Sequence, residues 1–173
     1  MYPNYNMFYG FNGLNDFNFF RNANESQMSF NEELITLSQA IDSIRKSIDD
    51  EREDELFYNS LISNAPNEEA KNIITSIRND EKKHNQILKK LYYDFTGQMI
   101  QINNNSPVNN PSTSNYKDDL ETALFSELNA VEKYRRILGT TPMGDDYTLV
   151  MSIMTDELRH ANLYNYLIHK ANM

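Results

Sequence analysis

Residues 79–84 read Asn-Asp-Glu-Lys-Lys-His, and residues 155–160 read Thr-Asp-Glu-Leu-Arg-His. Asp80, Glu81 and His84 recur as Asp156, Glu157 and His160, each 76 residues on. The match extends upstream at the same offset, through Glu51 and Glu127, Tyr58 and Tyr134, and Pro66 and Pro142. Each copy therefore places one glutamate thirty residues before its Glu-x-x-His. The chain has three histidines, and two of them fall inside this repeat. A single Glu-x-x-His on a helix is ordinarily a solvated face. Two copies, each with its upstream glutamate, are the ligand set of a carboxylate-bridged dimetal site in a four-helix bundle.

The apolar pattern puts those residues on helix seams. Leu34, Leu37, Ile41, Ile44, Ile48, Glu51, Glu55, Tyr58 and Ile62 step by alternating threes and fours. So do Ile74, Ile77, Glu81, His84, Leu88, Leu91 and Phe95 in a second run. Leu120, Leu124, Glu127, Val131, Tyr134 and Leu138 form a third, and Val150, Ile153, Glu157, His160, Tyr164 and Leu167 a fourth. This spacing predicts a left-handed, nearly antiparallel bundle with the carboxylates and imidazoles turned inward. Short connections near Pro66 and Pro142 predict two helical hairpins, over residues 30–96 and 116–173. The segment between them, 97–115, is a loop by composition. At about 3.3 Å per residue it can reach about 60 Å, more than the roughly 42 Å of a 28-residue helix. One long crossover between two hairpins is the connectivity of ferritin-like bundles.

An unpaired carboxylate in an apolar seam costs several kcal/mol, on the order given for an ion taken out of water, and four facing one another repel. Two divalent cations remove both penalties. Glu and His three apart share a helical face, so each pair can serve one metal, with Glu81 and Glu157 bridging, Glu51 and Glu127 terminal, and His84 and His160 each capping one ion. Metal-bound histidines usually give their other ring nitrogen to a carboxylate. Asp80 and Asp156 are therefore expected each to orient the histidine of the opposite half. Tyr58 and Tyr134 lie two turns past the terminal glutamates. They could bond a bridging carboxylate, deliver an electron, or be ordinary core tyrosines. Glu55 is either a seventh ligand or part of the solvated rim of an acidic run; its counterpart is Val131. His169 has Tyr93 as counterpart and reads as a surface histidine.

Composition narrows the chemistry. No cysteine is present, which excludes disulfides, thiolate-ligated zinc and iron–sulfur centres. The net charge of −9 argues against a nucleic-acid partner. No apolar run is long enough for a membrane span, and the first residues lack the pattern of a secretory signal, so a cytoplasmic location is expected. Residues 1–29 hold eight of the chain's aromatic residues among Asn and Gly. They read either as a flexible segment or as an adhesive one for assembly. A homodimer through helix faces is compatible with such a bundle.

The stretches Glu-Arg-Glu-Asp-Glu-Leu-Phe-Tyr (51–58) with 79–84, and Glu-Leu-Asn-Ala-Val-Glu-Lys-Tyr (127–134) with 155–160, resemble the di-iron motifs of the rubrerythrin, bacterioferritin and ferritin-like superfamily. The resemblance covers residues 30–173. It implies an all-α ferritin-like four-helix bundle holding two iron ions, with Glu51, Glu81, His84, Glu127, Glu157 and His160 as ligands. The chain departs from rubrerythrins in lacking a cysteine-ligated rubredoxin domain. It also has Ala130 where they carry an extra glutamate, and both departures count against a rubrerythrin-style peroxidase cycle. The expected activity is oxidation of Fe(II) by dioxygen or hydrogen peroxide, with an electron donor the sequence does not identify. Two alternatives stand beside it. One is manganese-dependent peroxide disproportionation, as in manganese catalases. The other is a metal-stabilised assembly protein, since the aromatic leader resembles spore-associated proteins of anaerobic low-GC bacteria.

Overall fold

The computed structural model describes residues 34–49, 51–100 and 115–171, and the side chains of all of these except 51–56. The aromatic leader, most of the crossover, and the side chains of Glu51 and Glu55 lie outside the described residues. Five helices account for nearly all the rest: α1 (Leu37–Asp49), α2 (Glu51–Asn64), α3 (Glu68–Thr96), α4 (Tyr116–Thr140) and α5 (Asp145–Ala171). No strand occurs among the described residues. The architecture is all-α, as the spacing requires.

Local chemistry sets the helix ends. Thr36 and Gln39 form a reciprocal capping box before α1. The Gln39 N–H donates to Thr36 Oγ1 at 3.2 Å, and the Thr36 N–H donates to Gln39 Oε1 at 2.8 Å. Asn67 caps α3 by accepting from the Ala70 N–H at 2.9 Å, and Glu68 and Glu69 complement the dipole in its first turn. Gly97 ends that helix in the left-handed region (φ +69°), where its N–H reaches Tyr93 O at 2.7 Å. Asn115 caps α4, and Asp145 and Asp146 open α5. The loops at 65–67 and 141–144 are too short for anything but antiparallel neighbours.

Helices α1 and α2 pack on α3, α4 packs on α5, and the two pairs meet through α1 and α2 with α4 and through α3 with α5. That leaves α3 and α4 on a diagonal. The interior consists of two apolar clusters. One gathers Leu61, Ile74, Ile77, Leu120 and Tyr164; the other gathers Ile44, Ile48, Leu91, Ile137 and Ile153. Along α3 and α5 the residues dividing these clusters are Glu81 and His84, and Glu157 and His160. The polar residues thus form a layer between two dry ends.

The seam departs from the expected one away from this layer. Leu34 and Leu37 are 65% and 48% exposed, and Ala40 is the first buried position. The helix begins only at Leu37, so Leu34 never enters its period. Elsewhere Leu61 is buried more fully than Ile62, and Ala123 more fully than Leu124. Strict threes and fours average 3.5 residues per turn, whereas a straight helix has about 3.6. That difference amounts to only about 20° per heptad, against about 100° between successive residues, so which of two adjacent apolar residues goes under is set by the packing of the facing helices.

Candidate metal centre

One ligand atom from each of Glu81, Glu127, Glu157 and His160 falls within a cluster 4.8 Å across. The residues come from α3, α4 and α5. Glu127, Glu157 and His160 are at most 4% exposed. His84 joins them through Nδ1, 3.3 Å from Glu81 Oε2 and 3.5 Å from Glu157 Oε1. His160 Nδ1 lies 2.9 Å from Glu81 Oε1, 3.5 Å from Glu157 Oε2 and 3.7 Å from Glu127 Oε2. In both rings Nδ1 faces the carboxylates. Glu51, expected as the sixth ligand, and Glu55, the candidate seventh, have no described side chain.

The other ring nitrogen faces outward toward an aspartate of the opposite half, and that of His160 also meets Arg159 Nη2 at 3.3 Å. His84 Nε2 is 3.3 Å from Asp156 Oδ2, and His160 Nε2 is 3.7 Å from Asp80 Oδ2. The two pairings are unequal because Asp80 is claimed elsewhere. Lys83 Nζ donates to it at 2.8 Å and Arg159 Nη2 at 2.6 Å. Arg159 also reaches Asp156 Oδ1 at 3.2 Å, so one guanidinium ties both outer carboxylates together. Burial raises the Asp80 carboxyl, but these cations outweigh it and hold it at about 2. The basic residue preceding each histidine was a signal in the repeat, yet nothing in a one-dimensional spacing shows Arg159 crossing to Asp80. Asp156→Asn should weaken metal binding about tenfold or somewhat more, the cost usual for an outer-shell partner. Competition with a chelator measures it.

Tyr58 donates its hydroxyl to Glu127 Oε1 at 3.1 Å. The acceptor is the carboxylate expected as a terminal ligand, not one expected to bridge. Burial, then the nearby tyrosine and glutamates, push the Tyr58 phenol well above its ordinary range, so it remains a donor. Tyr134 is buried beneath Lys133, whose Nζ sits 4.7 Å from the ring centroid. Its counterpart to Glu127 would be Glu51. His169 is exposed at the end of α5.

The electrostatics are those of a cation site. Burial alone would depress both imidazoles, yet the surrounding glutamates raise His84 to about 10 and His160 to about 12. Burial raises Glu127 well above the carboxylate range, while the two histidines hold Glu157 below it. The carboxylates thus favour positive charge at the place a metal would hold. Glu81 Oε1, Glu157 Oε2 and His160 Nδ1 are nevertheless buried without a hydrogen-bond partner among the described residues, close together but misaligned for N–H···O bonding. Three unbonded ligand atoms converging in a polar layer between apolar clusters fit a bound divalent cation.

The Rubrerythrin family model matches residues 42–168. The chain belongs to the Rubrerythrin family. The matched span contains every expected ligand, which supports a ferritin-like di-iron domain of a generally oxidoreductase type. No curated protein and no solved structure gives a significant match. No helix among the described residues is long and apolar enough to cross a membrane.

Proposed function

We propose that this chain binds two iron ions at the carboxylate–histidine cluster and oxidises Fe(II) to Fe(III) with dioxygen or hydrogen peroxide, to remove the oxidant or to handle iron. The observation that carries the reading is the convergence of Glu81 Oε1, Glu157 Oε2 and His160 Nδ1 without bonds to one another. Glu51, Glu81, His84, Glu127, Glu157 and His160 would hold the ions; the mixture of carboxylate and imidazole suits iron or manganese rather than a soft metal. When bound, two ferrous ions supply two electrons, one each, and polarise the oxidant. Hydrogen peroxide takes up those two electrons with two protons to give two waters.

The chain's own residues prepare that site. Glu81 faces both imidazoles, Asp156 and Asp80 face their outer nitrogens, and Tyr58 fixes one oxygen of Glu127. The apolar clusters on either side exclude water along the bundle axis. Metal content of anaerobically purified protein, followed by rapid-mixing spectra with each oxidant, tests the reading. About two irons per chain and oxidant consumption coupled to iron oxidation are expected. Two manganese ions with dioxygen release from peroxide would replace it with disproportionation. A protein that folds without metal and consumes neither oxidant would leave the assembly reading.

A further inference from the structure

The internal repeat also shows where the two halves differ. Arg78, Asn85 and Lys133 line a cavity of about 200 Å³ that reaches Glu81, Glu127 and Glu157. Their counterparts, 76 residues on or back, are Met154, Ala161 and Phe57. The expected ligands obey the repeat; their surroundings do not. One flank of the site is polar and open, and the equivalent flank is apolar.

Two atoms on the polar flank lack partners. Asn85 is 4% exposed, and its Oδ1 has no hydrogen-bond partner among the described residues. Arg78 donates Nη1 to Asn59 Oδ1 at 2.9 Å, but its buried Nε finds no acceptor there. A buried polar group left unsatisfied is destabilising, and alanine at the equivalent position, Ala161, avoids this. Lys133 Nζ, bonded to Ser47 Oγ at 2.8 Å, adds positive charge to the same wall. At about 30 Å³ per water, the cavity has room for a small molecule rather than a single solvent.

We propose that Arg78 and Asn85 form the outer half of a ligand site for a small monoanion of the hydroperoxide, azide or carboxylate class. The inference rests on the metal-binding reading above. With metal bound, the carboxylate wall would be neutralised, and the anion would reach from it to the donors of Arg78 and Asn85. Arg78 supplies Nε–H. Asn85 supplies its amide N–H after a half-turn that exchanges Oδ1 and Nδ2. Dioxygen, which is neutral and a poor acceptor, gains nothing from this wall.

The test is an absorbance titration of the oxidised, iron-loaded full chain with azide and, separately, formate. Asn85→Ala and Arg78→Met install the residues of the other half. Each should weaken azide about tenfold, the worth of a hydrogen bond to a charged group, with metal content unchanged. Met154→Leu, on the apolar flank, should leave azide affinity as it was. If Asn85→Ala does not fold, Arg78→Met decides the matter alone. Parallel weakening of formate marks a general anion site; weakening of azide alone marks a hydroperoxide-shaped one. Metal uptake with azide affinity unchanged in the variants, or no azide binding by the parent chain, overturns the inference and leaves the metal reading standing. A chain that takes up no metal overturns both.

Discussion

Replacing Glu157 with alanine should abolish metal binding at the proposed site and with it the proposed oxidation of Fe(II). No other described carboxylate is buried so fully while facing both imidazoles, at 3.5 Å from His84 Nδ1 and 3.5 Å from His160 Nδ1. Metal affinity should fall by more than about 100-fold, beyond the loss usual for an outer-shell partner. The metal-free protein should suffer as well. Its two imidazole rings lie 5.7 Å apart, centroid to centroid, and would face each other with Glu81 as their main counter-ion. Breaking a buried charge set by removing one partner costs on the order of 3–5 kcal/mol. Glu157→Gln keeps the shape and a hydrogen-bond acceptor, so it should lose metal equally but destabilise less. Leu158→Ala, at an exposed neighbouring position, should change neither quantity. Metal analysis together with urea unfolding in chelator measures both effects. An alanine variant that still binds two metals per chain would mean the ligand set is built around other residues.

The repeat made the cluster of Glu81, Glu127, Glu157 and His160 legible because residues that hold one metal would obey two constraints at once. They must share a helix face, which fixes Glu-x-x-His, and they must meet at one depth in the bundle, which fixes the offset between hairpins. Asn67, Gly97 and Asn115 close helix ends that the apolar spacing alone did not mark. The seam was less legible than the cluster. Ala40 and Ala123 are buried where the larger Ile41 and Leu124 seemed the natural core residues, because an apolar stripe about 100° wide admits either neighbour and the facing helices decide which goes under. Arg159 and Asn85 were invisible for another reason. Spacing along one helix says which way a side chain points, but not that Asp80 waits across the groove or that a cavity has opened opposite. Those facts belong to the packing of non-neighbours. The asymmetry between Asn85 and Ala161 was nonetheless written in the repeat and could have been found by aligning the halves beyond the ligands.

Without metal, the protein should lose stability as pH rises from about 6.5 toward 10, and metal should abolish that loss. His84 and His160 are raised to about 10 and about 12 by the carboxylates that face them, against about 6.5 in an unfolded chain. Their contribution is complete below about pH 6.5 and is lost as pH climbs through the folded values. Glu127 acts in the same direction, since burial favours its protonated form and ionising it strains the fold. Glu157 opposes them only in acid: its carboxylate is held low, so its contribution is present above about 4.5 and lost below. Between pH 7 and 9 each histidine that stays charged only in the fold removes up to about 1.4 kcal/mol per pH unit. That corresponds to several degrees of melting temperature for a chain of this size. Metal reverses the dependence because it must displace the Nδ1 protons and any proton on Glu127, so loading at pH 7 should release at least about two protons per chain and affinity should rise with pH. Calorimetry at pH 6.5 and 9, in chelator and with metal, reads the first effect; a pH-indicator titration reads the second. A metal-free melting temperature unchanged over that interval would show that the imidazoles are neutral in the folded chain. The buried carboxylates would then have to be protonated, and cation binding would displace their protons in place of those on Nδ1.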